Sequence, residues 1–421
     1  MLPAKGVCQR SATHPMLCEK EMPPLVQAIR RPLLLCGIYS MLIAAPSLVD
    51  GPVEAQVLKQ EFQAEVDALH SEYDFPGATA AYALPGGETE VVATGFADVE
   101  HQIRMTPEAR MLAASIGKTF VAATALSLVR EGTLSLDAPI SQWLGEREWF
   151  SRLPNHDTIT LRQLLNHTSG IPNHVESRAF TEAFAEGWRS YSNPFTPRRL
   201  IEFVLDRPAL FEPGHGWTYS DTGYILVGLI IEASTGQSYY DEVRRRFLDP
   251  LHLDLTSPSD RFELSGLATG YMTPENALGL PSRTTTRPGV LVWHPGVEWT
   301  GGGLVSNSQD LVVWAKALFE GKAMDGPYTE ALLNAVPIDS NAPDIQYGLG
   351  VGIHRTGPAG PTYGHGGWIP GYTSSLRYYP DHRIAVAFQI NTDIGIVDDS
   401  TPVVEEMETR LARLVLEALK R

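Results

Sequence analysis

The sequence predicts an α+β fold in which strands from both ends of the chain meet in one sheet and helices fill the middle. Strand-like alternation runs over residues 78–84 and 90–96 and returns over 372–379 and 383–391, whereas helix signals dominate from Ser115 to about residue 250. Taken in order, residues 56–70 read as an amphipathic helix with a stripe of Val57, Phe62, Val66 and Leu69. Pro85-Gly86-Gly87 joins the first two strands as a hairpin. Phe120, Val121, Ala125, Leu128 and Val129 repeat at helical spacing behind Ser115. Thr160 and Gln163 make a capping box, Thr196-Pro197 a helix start, and Gly236 a stop after the apolar run from Tyr224. Residues 253–300, rich in Pro, Gly and Thr, read as an aperiodic surface connection that either shapes a site or merely links elements. Ser306-Asn307-Ser308-Gln309 opens another helix, and Pro380-Asp381 turns the last hairpin. Thr401-Pro402 begins a final helix with Glu405 and Glu406 early and Lys420 and Arg421 late, matching its dipole.

With 421 residues, 43% apolar and 19% charged, the chain can bury a large core. Its net charge of -16 argues against a nucleic-acid partner, which needs a basic face. Cys8, Cys18 and Cys36 all fall in the first 36 residues, so the body has neither disulfides nor thiol ligands. No His-Glu-x-x-His or closely spaced ligand pair occurs among the twelve histidines, so no metal or other cofactor is expected. His215 and His294 receive no role, and the oligomeric state is not readable.

The N-terminal segment reads as an export leader. Arg30-Arg31 precedes an apolar run from Leu33 to Ala45, too short to span a bilayer, and Val53-Glu54-Ala55 supplies a small-residue cleavage site. Residues 1–55 are therefore expected to leave, making the mature chain, Gln56 to Arg421, one charge more negative, and the product is periplasmic or secreted. Translation from Met22, cleavage at Ala45-Pro46-Ser47 and a loose lipoprotein box at Leu33-Leu34-Leu35-Cys36 are open alternatives.

Chemistry concentrates at Ser115-Ile116-Gly117-Lys118. Serine and lysine at i and i+3 share a helix face, so the amine can reach the hydroxyl. The positive end of the helix would push both toward alkoxide and neutral amine. One Ser-x-x-Lys arises by chance in a chain of about this length, and the bland alternative is a helix cap beside a solvated lysine. The apolar surroundings, Met111-Leu112-Ala113-Ala114 before and the helical run after, bury the lysine instead. Holding it neutral at pH 7 costs about 4 to 5 kcal/mol, which is tolerated mainly where a base is needed.

Ser115-x-x-Lys118, Tyr219-Ser220-Asp221 and His365-Gly366-Gly367, in that order, resemble the three motifs of the serine beta-lactamase and D-alanyl-D-alanine peptidase superfamily, specifically its class C beta-lactamase-related esterase and D-peptidase branch. Similar blocks are Pro76-Gly77-Ala78, Gly95-Phe96-Ala97-Asp98, Glu131-Gly132-Thr133-Leu134, Asn166-His167-Thr168-Ser169-Gly170 and Gly302-Gly303-Leu304-Val305-Ser306, spread collinearly over about residues 60–395. The resemblance implies an antiparallel sheet flanked by helices, formed by 56–110 and 290–421, with a mainly helical subdomain over 111–289 and Ser115 at their junction. It also implies Ser115 as acylated nucleophile, Lys118 as base and Tyr219 as proton shuttle. Asp221, His365, Gly367 and Trp368 would bind substrate, with the Ser115 and Trp368 amides as oxyanion donors. His167 reads as structural.

Two departures point away from penicillin hydrolysis. His365-Gly366-Gly367 stands where the lactamases usually carry lysine, a hydroxyl residue and glycine, and a partly neutral imidazole anchors a substrate carboxylate poorly. Asp221 replaces asparagine, and an ionised carboxylate cannot donate to a substrate carbonyl. A serine hydrolase acting on a small ester, amide or D-peptide is the expected function. A class C-like beta-lactamase, a D-Ala-D-Ala carboxypeptidase and a non-catalytic acyl-binding cell-wall sensor are its alternatives. An α/β-hydrolase reading of Ala113-Ala114-Ser115-Ile116-Gly117 fails because Pro107 and the downstream helices do not supply the strand and alternation that fold requires. No second carboxylate base is identifiable for deacylation.

Overall fold

The computed structural model describes residues 51–188, 195–276, 278–393 and 402–421. The three cysteines and the body of the expected leader, like Thr401, lie outside the described residues. The first helix, α1 (Gly51–Tyr73), runs through the expected Ala55 cleavage point and leads into β1 (Gly77–Ala83), β2 (Thr89–Asp98) and β3 (Ile103–Arg104). After the central region come β4 (Val336–Pro337), β5 (Ile345–Tyr347), β6 (Gly352–His354), β7 (Thr362–Ile369), β8 (Tyr372–Tyr379) and β9 (Ile384–Ile390). They form one nine-stranded sheet in the order β3-β2-β1-β9-β8-β7-β6-β5-β4. Its N- and C-terminal parts join where β1 pairs antiparallel with β9, Ala78 opposite Ile390 through Ala83 opposite Ala385.

Every residue of β1 and β9 is buried, the pattern of central strands covered on both faces. Alternate residues separate cleanly. Ala78, Ala80, Tyr82, Val386 and Phe388 pack with Phe62, Val66 and Leu69 of α1 and with Met407, Leu411 and Val415 of the C-terminal helix. Ala81, Ala83, Ala385 and Ala387 face the other core, which contains the helical region. The α1 stripe includes Leu58 rather than the expected Val57, which is 40% exposed, because 58, 62, 66 and 69 follow the i, i+4 row.

The helical region carries α2 (Gly117–Arg130) and α3 (Asp221–Thr235), α4 (Ser308–Phe319) packs on the sheet against β1 and β9, and the chain closes with α5 (Val403–Ala418). The capping box at Thr160 and Gln163, the Thr196 cap and the left-handed Gly236 stop all occur where the residues predict them. Lys420 and Arg421, expected in the last turn of α5, lie past its end; Arg421 instead pairs with Glu61 of α1. The expectation for 253–300 changes more. Thr284, Thr285, Trp293 and Thr300 are buried, and Ser257–Pro258 pairs with Leu304–Ser306, so this segment is wall rather than surface connection.

Helix α2 is buried along nearly its whole length and is held to α4 by the stacked pair Phe120 and Trp314, whose ring centroids are 4.0 Å apart. The Trp314 indole N–H donates to Thr119 Oγ1 at 2.8 Å. Removing a fully buried aromatic ring costs about 3 to 5 kcal/mol. Phe120→Ala is expected to lower the thermal midpoint by several degrees, checked by scanning calorimetry against the parent protein.

Candidate active site

Ser115 sits in a short turn, Ala114–Ile116, just ahead of α2. Ala114 adopts a left-handed φ of 49°, a conformation that costs a residue with a side chain about 1 kcal/mol or more and sharpens the turn. Close backbone packing holds it. A Cβ on Gly302 would lie 2.4 Å from Ala114 O, and one on Gly367 would lie 2.3 Å from Ala113 O and from Ser374 Oγ. The Ser374 hydroxyl donates to Ala113 O at 2.9 Å. Strand β7 thus lies directly against the serine turn because position 367 has no side chain.

Lys118, in the first turn of α2, is fully buried, and its Nζ donates to Ser115 Oγ at 3.1 Å. It also donates to Asp221 Oδ1 at 2.5 Å, and to Gly301 O in a shorter contact. All three ammonium protons therefore have acceptors. Burial alone would lower the amine, but the Asp221 carboxylate, with Tyr219, more than offsets this and holds it above its ordinary value. The expected drive toward a neutral lysine is overturned, because a carboxylate from α3 outweighs the helix dipole. Asp221 is correspondingly the partner of Lys118 rather than simply a substrate ligand, although it also lines the cavity.

Tyr219 brings its ring within 4.8 Å of Lys118 Nζ. Its hydroxyl is enclosed and closes no hydrogen bond of good geometry among the described residues; burial pushes it up to about 12 while Lys118 pulls the other way. His167 supports this arrangement structurally: its Nδ1 accepts from the Ser220 N–H at 3.1 Å, and its ring lies 4.3 Å from that of Tyr219. Burial, reinforced by Lys118, keeps it well below the usual imidazole range.

His365 is the clearest departure from expectation. Its Nδ1 lies 2.5 Å from Gly366 O, an acceptor, so Nδ1 carries the proton and Nε2 accepts from Tyr347 Oη at 2.8 Å. Both ring nitrogens are committed. Burial and then Lys118 lower its pKa to about 3, so the ring is neutral, not partly charged, and supplies no cation for a carboxylate.

These groups meet in a cavity of about 770 Å³ lined by Ser115, Tyr219, Asp221, His365, Gly367 and Trp368, so every expected site residue except the enclosed Lys118 reaches it. Trp368 is 47% exposed and lines this cavity together with Ser115. Phe180, Phe184, Leu278, Trp293 and Val297 make an apolar wall. Three residues were missed in the sequence. Asn173 Oδ1 accepts the Asp221 N–H at 3.1 Å and so positions that carboxylate. Glu176 also lines the cavity. Glu298 lines it as well, its carboxyl pushed up to about 8 by burial, with Lys118 opposing and Asp221 reinforcing. An acid between Val297 and Trp299 in a run otherwise of Pro, Gly, Val and Thr was the available signal. His294, unassigned from sequence, caps the Pro295–Val297 turn, and His215 lies exposed. No metal-binding cluster occurs among the described residues.

A beta-lactamase family model matches residues 59–404. A penicillin-binding protein of Bacillus subtilis is 25% identical over 344 residues, 80% of this chain and 72% of the relative. A D-aminopeptidase of Brucella canis is 24% identical over 330 residues; the match takes in 78% of this chain and only 59% of that enzyme. The solved structure of the D-amino acid amidase from Ochrobactrum anthropi SV3 with L-phenylalanine amide superposes with a TM-score of 0.70 at 29% identity, covering 86% of this chain and 99% of the amidase chain.

The neutral His365 sets a pH dependence. Its folded pKa of about 3 lies below the usual imidazole value, so below about pH 6.5 the unfolded chain binds a proton that the folded chain refuses. This term costs stability as pH falls from about 6.5 toward 3. In His365→Gln the thermal-midpoint loss between pH 7 and pH 4.5 is expected to be smaller than in the parent, measured by calorimetry across that range.

Proposed function

The chain belongs to the beta-lactamase family, and from that premise we propose that it is a serine hydrolase of the esterase and D-peptidase type, working through an acyl-enzyme on Ser115. The observation that carries the reading is the hydrogen bond from Lys118 Nζ to Ser115 Oγ at 3.1 Å, backed by Asp221, at the edge of a cavity large enough for a small substrate. The Tyr219 ring, 4.8 Å from Lys118 Nζ, makes the two groups one acid–base unit, which can take the Ser115 proton once it has lost one proton to solvent. The Ser115 hydroxyl proton then passes to the Lys118 and Tyr219 pair, the Oγ–carbon bond forms, and the tetrahedral oxyanion is met by the Ser115 and Trp368 amides. Collapse breaks the bond to the leaving group, which takes the proton through Tyr219. Water adds to the acyl carbon in the second half, and Ser115 recovers its proton as its ester bond breaks.

Substrate class follows from charge. No Lys or Arg is among the described residues lining the cavity, and His365 is neutral, so a carboxylate-anchored beta-lactam finds no cation there beyond the enclosed Lys118. Activated esters and D-amino amides fit this better, in keeping with the printed names of the Brucella aminopeptidase and the Ochrobactrum amidase. Fluorophosphonate is expected to label Ser115, with loss of the adduct and of hydrolysis in Ser115→Ala, read by peptide mapping. Lys118→Ala and Tyr219→Phe should each lower kcat/KM by about a hundredfold or more, and their double variant by far less than the product, since they act as one unit. A cephalosporin turned over faster than p-nitrophenyl acetate would restore the beta-lactamase reading, and labelling without turnover would favour the sensor.

Export belongs to the same proposal, supported by Arg30-Arg31 and the apolar run from Leu33 to Ala45. Expression with the native leader should yield an extracytoplasmic chain beginning near Gln56, and N-terminal sequencing of an uncleaved cytoplasmic product would refute it.

A further inference from the structure

Glu298 has no part in the steps above, yet it lies in the wall of the same cavity. Its Oε2 is closed off from solvent and has no hydrogen-bond partner among the described residues. A buried carboxyl left unpaired is costly, and most such groups are completed by something. The charges around it indicate what. Glu298 faces Lys118 from α2 and Asp221 from α3, and is near the Tyr240 phenol, which burial and then Tyr239 and Asp260 push up ahead of Glu298, and whose hydroxyl donates to Gly303 O at 3.0 Å. Lys118 is already matched by Asp221, and His365, His167 and His174 are all held neutral. With Glu176, which accepts from Asn173 Nδ2 at 3.3 Å, also in the wall, full ionisation leaves two carboxylates without a cation, and Glu298 is the one of the two with an enclosed oxygen that has no hydrogen-bond partner among the described residues. Phe180, Phe184, Leu278 and Trp293 give the wall an apolar side.

We propose that Glu298 is a specificity-determining residue that receives a substrate ammonium, so that preferred substrates carry a free primary amine near the scissile carbonyl together with a bulky apolar side chain. The proposal rests on the serine hydrolase reading for what happens after binding, but not for binding itself. Below about pH 8 the empty site holds a protonated Glu298. Arrival of an ammonium ionises it, so one cation enters, one proton leaves to the buffer, and the complex gains a charged hydrogen bond.

The test uses full-length Ser115→Ala protein and D-phenylalaninamide, with isothermal calorimetry at pH 6 in two buffers of different ionisation enthalpy. Release of close to one proton per ligand is expected, and none with 3-phenylpropionamide, which lacks the amine. Adding Glu298→Gln should abolish the release and weaken amine binding about tenfold or more. In the Ser115 protein, Glu298→Gln should lower the ratio of kcat/KM for D-phenylalanine p-nitroanilide over its desamino analogue by a similar factor. Amine binding without proton release overturns the proposal, and this arm needs no Glu298 variant to fold. A ratio that shifts with Glu176→Gln but not with Glu298→Gln also overturns it. Absence of fluorophosphonate labelling at Ser115 would instead refute the serine hydrolase reading and leave the calorimetric result standing.

Discussion

The buried ion pair between Lys118 and Asp221 is the constraint on which the rest of the site depends. A fully enclosed ammonium is tolerated only when its protons are matched, and the three acceptors come from three segments: Ser115 from the turn before α2, Asp221 from α3, and Gly301 from the long wall segment. Each hydrogen bond thereby fixes a different part of the chain against the same nitrogen. Loss of one partner from such a pair is worth about 3 to 5 kcal/mol, because the other charge stays behind without compensation. Asn173 and His167 extend the constraint outward by holding the Asp221 and Ser220 backbone amides.

Close backbone approach supplies the second requirement. Gly117 and Gly302 touch so tightly that a Cβ on the former would lie 2.4 Å from the carbonyl oxygen of the latter, and Gly367 meets Ala113 in the same way. Those contacts let a strand edge, a strained turn and a helix start converge within a few residues of Ser115. Side chains at these positions would separate the elements and move the hydroxyl away from the amine, which explains glycine at positions 117, 302 and 367.

Electrostatics then gives the cavity its sign. Burial neutralises His365, and its two nitrogens are spent on Gly366 and Tyr347, so the third motif contributes backbone and shape rather than charge. Glu176, Asp221 and Glu298 remain, beside an apolar wall. A site of that character disfavours anionic ligands and accepts neutral or cationic ones, whereas a lysine in place of His365 would reverse the preference.

Much of this was legible in the sequence. Period-two alternation identified both hairpins, and capping residues marked the helix starts at Thr160, Thr196 and Asn307, because local backbone chemistry decides such features within a few residues. The order of Ser115, Lys118, Tyr219 and His365 identified the candidate site for a related reason, since the i, i+3 spacing creates one contact locally and the resemblance supplies the others. Protonation states and partners were not legible. Lys118 is charged because the fold brings Asp221, 103 residues away in sequence, against it, His365 is silent because the fold buries it near Lys118, and Glu298 matters because its segment folds inward. Sequence determined which groups were available and which strands and helices would carry them. Tertiary structure alone decided their charge, since a pKa depends on burial and on neighbours brought within a few ångströms by contacts that no local pattern records.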